Sequence, residues 1–171
     1  MLFRSYQQLN GTAAATILGR VKALYPNKSF PTPDDILSTP DDKLRSAGLS
    51  RAKTAAIKDI ATKTIEGIVP TSRAIVKMSN EEIIERLTTV RGVGPWTVEM
   101  LLIFTLGRSD VLPATDYGVR KGFAMTYGWK DLPTPKELLV QSEKWKPHRT
   151  TAAWYFWRAL DLEDGEKAVS I

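Results

Sequence analysis

The sequence predicts an all-α fold, and three observations carry that expectation. Helix-start signals recur along the chain, each a cap-type residue followed by Pro or acids. Apolar residues fall three and four positions apart. No stretch alternates apolar and polar residues over a strand's length. Thr12–Leu24 is Ala-rich with apolar residues at helical spacing, and it stops before Tyr25-Pro26. Thr32-Pro33-Asp34-Asp35 and Thr39-Pro40-Asp41-Asp42 open two short helices, near Asp34–Leu37 and Asp41–Ala47, and Gly48 closes the second. Ser50 caps a longer helix. Ala56, Ile57, Ile60, Ala61, Thr64, Ile65 and Ile68 form its buried side, and Arg51, Lys53, Lys58 and Lys63 are expected in solvent. Ser79-Asn80-Glu81-Glu82 has the spacing of a capping box, with Ile83, Ile84 and Leu87 as the buried stripe.

Pro95 suits the first turn of a helix running to Gly107, which is apolar nearly all round and therefore expected to be central. Thr115 or Asp116 opens another helix that ends near Gly128. Thr134-Pro135-Lys136-Glu137 opens the next, and Pro147 the last, whose Trp154-Tyr155-Phe156-Trp157 run is expected to be mostly core packing. The sum is about nine or ten helices joined by short loops, with no linker or repeat.

Composition excludes several chemistries. The chain has 171 residues, no Cys and one His, His148. A disulfide framework, an Fe–S cluster, a zinc finger and a catalytic thiol are thereby ruled out, and a His-based triad is disfavoured. The net charge of +5 favours a polyanionic partner. The first residues lack a signal peptide's apolar run, and Val98–Leu106 is too short to span a bilayer and carries Glu99. These features point to a soluble intracellular protein.

Two segments carry chemistry. In Val90-Arg91-Gly92-Val93-Gly94-Pro95-Trp96-Thr97 one helix ends, two glycines flank an apolar residue, and a second helix starts at once. Such a hairpin can present backbone N–H groups to a phosphate under a favourable helix dipole, with Val93 pointing inward. It equally suits an αα-corner that binds nothing. The second segment is Leu112-Pro113-Ala114-Thr115-Asp116-Tyr117-Gly118-Val119-Arg120. Asp116 is either an ordinary N-cap or a carboxylate exposed at the mouth of a cleft.

A Gly-Val-Gly hairpin followed about twenty residues later by Leu-Pro-x-x-Asp-Tyr-x-Val-Arg resembles the helix–hairpin–helix DNA glycosylase superfamily. Trp145-Lys146-Pro147-His148-Arg149 with the aromatic helix behind it, and Gln7-Gln8-Leu9-Asn10 before an Ala-rich helix, are similar to its 3-methyladenine DNA glycosylase II (AlkA-like) branch. The resemblance runs from about Tyr6 to Leu160.

It implies one helical glycosylase domain over residues 1–171, of two helical lobes with a cleft between them, without the N-terminal β domain of some relatives. It implies excision of alkylated purines of the 3-methyladenine or 7-methylguanine type from duplex DNA, by base flipping and hydrolysis of the N-glycosidic bond. Asp116 matches the catalytic aspartate, with Thr115 standing where close relatives often have a second aspartate. Trp96, Met100 and Trp157 match the base pocket, although Met100 replaces a tyrosine. Gln7 and Gln8 match the wedge that fills the emptied stack; by residue type alone Gln8 is as well read as a polar helix terminus. Gly92, Val93, Gly94, Trp96 and Thr97 match the DNA-gripping hairpin.

Lys146, Arg149, Arg120, Arg51 and Lys53 are candidate phosphate contacts, each of which singly reads as a solvated charge. Thr88, Val90 and Val93 match backbone carbonyls that hold a sodium or potassium ion in relatives; no cofactor is required. Bifunctional members carry an imine-forming lysine where this chain has Trp96, so strand cleavage at the abasic site is not expected. The partner that the resemblance implies is damaged duplex DNA, bound by a monomer with no membrane association, in the cytoplasm at the nucleoid of a bacterium or archaeon or in the nucleus of a eukaryote. A binding module that has lost catalysis, or a glycosylase for a neutral damaged base, are the alternatives. Asp116 speaks against the first, because a carboxylate beside DNA phosphates repels them.

Overall fold

The computed structural model describes residues 11–169, and the side chains of residues 13–162. Among them the secondary structure is helical throughout, with no strand. Contacts divide the chain into two compact units, Met1–Val98 and Glu99–Ile171.

The first unit holds α1 (Gly11–Ala23), α2 (Pro33–Ser38), α3 (Asp41–Ser46), α4 (Arg51–Ile65), α5 (Ser72–Ile75) and α6 (Asn80–Thr88). Local chemistry explains where they start. Thr32 and Ser79 form reciprocal capping boxes with Asp35 and Glu82, and Ser50 accepts from Lys53 N–H. The core gathers Val21, Ile36, Leu44, Ala47, Leu49, Ile57 and Ala61, with Ile17, Leu24 and Tyr25 packed against it. The expected stripe of α4 is buried only as far as Ala61; Thr64 is exposed and Ile65 is 57% exposed. Lys63, expected in solvent, is partly covered and paired with Asp59 at 3.1 Å. The single turn α5, capped by Thr71, was not signalled by any apolar spacing.

Helix α7 (Pro95–Phe104) begins at the end of the first unit. Val98, Met100, Leu102 and Ile103 are buried, as its composition predicts, but Phe104 is 55% exposed. The helix stops short of Gly107, and Arg108 N–H returns to the Leu102 carbonyl at 3.0 Å.

The second unit holds α8 (Tyr117–Tyr127), α9 (Pro135–Ser142), a 3₁₀ turn (Glu143–Trp145) and α10 (Arg149–Val169). Its core is Leu112, Ala114, Val119, Phe123, Leu138, Ala153 and Phe156. Phe123 lies at the centre, edge-on to Trp129, Trp145 and Phe156. Of the aromatic run in α10 only Phe156 is core: Trp154 is 50% and Tyr155 71% exposed. Helices α8 and α10 pack at Gly122, where an added Cβ would fall 2.0 Å from the Phe156 carbonyl oxygen. The two backbones meet there because Gly122 has no side chain.

Candidate active site

Asp116 is delivered by a loop that is fixed at both ends. Leu112, Pro113 and Ala114 are buried, and Asp116 N–H closes a turn onto the Pro113 carbonyl at 2.9 Å. Upstream, Thr150 of α10 donates its hydroxyl to the Arg108 carbonyl at 2.7 Å and accepts from Val111 N–H at 3.0 Å. Arg149 grips Asp110 through two bonds of 2.6 and 2.9 Å. This charge-assisted fork holds the Asp110 carboxyl below the usual carboxylate range.

The N-cap and the candidate catalytic group are the same residue. Asp116 Oδ1 accepts from Val119 N–H at 2.9 Å, capping α8. The same oxygen accepts from the Trp157 indole N–H at 2.9 Å. Trp157 is half-buried and stacked on Phe104, with ring centroids 5.9 Å apart. Gly118 makes room for it, since a Cβ there would stand 2.9 Å from Trp157 Cδ1 and 3.1 Å from Asp116 Oδ1. Gly118 and Gly122, one helical turn apart, therefore form the seam that lets α10 bring an indole to the start of α8. Sequence reasoning missed both glycines; their spacing of four was the available signal.

Glu99 was also missed. Its Oε2 is buried and meets no hydrogen-bond partner among the described residues. Burial, and then the negative charge of Asp116, push its carboxyl up to about 7. Met100, the next residue and an expected pocket member, is buried.

The hairpin joins α6 to α7. Val93 N–H bonds the Val90 carbonyl at 3.0 Å, and Gly92 takes φ +68°, a conformation other residues rarely adopt. Val90 is the deeply buried residue here, whereas Val93 is half-buried. Gly94 has an ordinary φ and nothing within 4 Å of where a Cβ would stand, so neither packing nor backbone conformation demands a glycine there. Trp96 is 38% exposed and Thr97 is buried. Helix α4 holds the turn from behind. Asp59 accepts from Arg91 N–H at 2.7 Å, and Lys63 donates to the Thr89 carbonyl. That N–H, followed by the Lys63 ammonium, lowers the Asp59 pKa. These two residues are distant in sequence from the turn, and no local pattern marks them.

Gln7 and Gln8 lie outside the described residues. Lys146 pairs with Glu143 at 2.9 Å, Arg149 is engaged with Asp110, and Arg120 Nε donates to the Pro133 carbonyl at 2.6 Å. Arg51 and Lys53 occupy the first turn of α4, and His148 N–H bonds the Trp145 carbonyl at 2.6 Å. Among the described residues no cluster of three or more His, Asp or Glu could hold a metal, and no helix is long and apolar enough to cross a membrane.

Comparison with known proteins places this arrangement. DNA-3-methyladenine glycosylase 1 of Schizosaccharomyces pombe is 44% identical over 163 residues, covering 95% of this chain and 72% of that protein. The structure of a 3-methyladenine DNA glycosylase from the same yeast, in complex with abasic DNA, superposes with a TM-score of 0.79 over 92% of this chain and 77% of that one. A DNA-3-methyladenine glycosidase structure from Bacillus halodurans, 32% identical, gives a TM-score of 0.82 over 92% of this chain and 72% of its own. The model of the HhH-GPD superfamily of base excision DNA repair proteins matches residues 5–148, a span that takes in the hairpin, Glu99 and Asp116, and the chain belongs to that superfamily.

Proposed function

We propose that this protein is a monofunctional DNA glycosylase that removes alkylated purines from duplex DNA in base-excision repair. The observation that carries the reading is the carboxylate of Asp116, held by a helix N-terminus and by the Trp157 indole. Loss of the base leaves positive charge on C1′ and the ring oxygen of the sugar. A fixed carboxylate stabilises that charge as it develops, at no reorganisation cost. Such a group also orients the attacking water. An alkylated purine is cationic before it leaves, so it needs extraction more than acid assistance.

The Trp157 ring supplies an aromatic face that attracts a cationic base. Trp96 and Met100 are assigned to the base as well. Trp96 has no amine with which to form an imine, which supports hydrolysis without strand cleavage. Gly92, Val93, Gly94, Trp96 and Thr97 are assigned to the DNA backbone, with Lys146 and Arg149 as auxiliary charges and Gln7 and Gln8 as the wedge. The open space at Gly94 supports this assignment, because a phosphate can approach the main chain there. The carbonyls of Thr88, Val90 and Val93 are hard oxygen donors that fit a sodium or potassium ion. Val90 keeps one lone pair beyond its bond from Val93 N–H. The reaction itself needs no cofactor, and the partner is damaged duplex DNA bound by a monomer.

The test is base release from duplexes that each carry one defined lesion, followed by borohydride treatment. Release of methylated purine with the strand intact and no trapped protein–DNA adduct is expected. No release from any alkylated duplex would overturn the reading, and a trapped adduct would remove the monofunctional assignment.

A further inference from the structure

Between α7 and α8 the chain is not helical, so the segment that ends in Asp116 takes its place from the groups that hold it. Helix α10 holds it at two points. At the start of the helix, the Thr150 hydroxyl donates to the Arg108 carbonyl at 2.7 Å and accepts from Val111 N–H at 3.0 Å, and Thr150 N–H donates to the Ser109 carbonyl at 3.0 Å. Beside it, Arg149 closes a fork on Asp110 with bonds of 2.6 and 2.9 Å. Further along the helix, the Trp157 indole donates to Asp116 Oδ1 at 2.9 Å. Thr150 and Trp157 are seven residues apart, which puts them on one face of α10, about 10 Å from each other along its axis. Ala153, between them, is buried in the core of this unit. Val111, Leu112, Pro113 and Ala114, which lead from the first point to the second, are buried as well. A single helix therefore pins both ends of the segment.

We infer that Thr150 is a positioning residue for base release: its hydroxyl, backed by the Arg149–Asp110 fork, fixes the start of this segment so that Asp116 meets the Trp157 indole. The inference rests on the glycosylase reading above. A hydroxyl can donate to one group and accept from another at once, which is what Arg108 and Val111 require of it. Valine has the shape of threonine and would fill the same space, so packing does not call for the hydroxyl. With valine, however, the N–H of the buried Val111 loses this partner, and the segment must shift to find another. Such a shift moves the Asp116 carboxylate, and a fixed charge stabilises the sugar cation only at the place where that cation develops.

The test compares single-turnover release of 3-methyladenine by the wild type, Thr150→Val and Thr150→Ser, with enzyme saturating and well below each melting temperature, beside affinity for abasic DNA. Thr150→Val should lower the rate about tenfold or more with affinity within about twofold of the wild type, because misplacing a reacting group costs rate and leaves the backbone grip. Thr150→Ser, which keeps the hydroxyl, should recover most of the rate. A folded Thr150→Val that releases base at the wild-type rate, or a serine variant as slow as the valine one, would overturn the inference and leave the glycosylase reading standing. Absence of release by the wild type would overturn both. If Thr150→Val does not fold, Asp110→Asn carries the same test, since it weakens the fork and leaves the hydroxyl in place. A severalfold slower release with affinity retained is then expected, and an unchanged rate would overturn the inference. A further readout needs no substrate. The Trp157 indole N–H proton resonance, shifted downfield by its bond to Asp116, should move upfield in Thr150→Val, and an unmoved resonance would show that the two ends of the segment are independent.

Discussion

Asp116 Oδ1 receives two hydrogen bonds of 2.9 Å from different elements, the Val119 N–H of its own helix and the Trp157 indole of α10. A side chain held from two directions keeps one rotamer, which electrostatic catalysis needs. The Trp157 contribution is separable from its ring. Trp157→Phe retains an aromatic face and loses the N–H. Single-turnover base release should fall by about tenfold, the scale of one hydrogen bond to a charged group, with affinity for abasic DNA retained. An unchanged rate would show that the indole N–H takes no part. At this scale the sequence was half legible. Asp116 stood out by its place after Leu112-Pro113; its N-cap role is seen in the structure, and its catalytic role is the proposal made above. Glu99 did not stand out, because a lone acid in an apolar helix reads equally as a solvated edge.

Elements were legible where their signals are local. The boxes at Thr32, Ser79 and Thr134 involve residues three apart, and each starts the helix that its spacing predicts. What failed was the extent of burial, since it depends on neighbours far away in the chain. Ile65 continues the stripe of α4 but is exposed, and Trp154 and Tyr155 are not core. The seam between α8 and α10 shows in sequence only as two glycines four apart, since the helix they admit lies far along the chain, and it makes a differential prediction. At Gly122 a methyl group would meet main-chain atoms of Phe156, which cannot rotate away. Gly122→Ala should cost about 1–3 kcal/mol or more of stability, read as a lowered melting temperature. At Gly118 the methyl would meet the Trp157 and Asp116 side chains, which can move. Gly118→Ala should therefore melt closer to the wild type but lose base-release rate. The reverse order would contradict the assignment of Gly118 to the site.

The hairpin is held as an element by Asp59, whose pKa is depressed by Arg91 N–H and then by Lys63. A depressed carboxylate contributes fully above its unfolded value and loses that contribution as pH falls through the lower folded one. Asp59→Ala should accordingly weaken binding to abasic DNA by a factor that is constant from about pH 5 to 8 and that shrinks only in stronger acid. A factor that vanished at neutral pH would show that the bond does not set the turn.

For the whole molecule, the net charge of +5 and the exposed hairpin predict association through the phosphate backbone. The logarithm of affinity for abasic DNA should fall with the logarithm of salt concentration at a slope of roughly −3 to −6. Affinity independent of salt would argue against a backbone grip. Composition bounded this scale well, since the absence of Cys and the single His removed whole reaction classes before any helix was placed. It could not rank the cations. Arg149, for example, pairs with Asp110, 39 residues earlier in the chain, and no local pattern marks that partner. The most direct test of the account is single-turnover release of 3-methyladenine by Asp116→Asn beside the wild type, with both fully bound to the duplex. The account predicts a fall of about 10²–10³ or more in rate with affinity for abasic DNA retained, because the substitution removes charge and leaves the backbone contacts in place. Release by Asp116→Asn at the wild-type rate would contradict it.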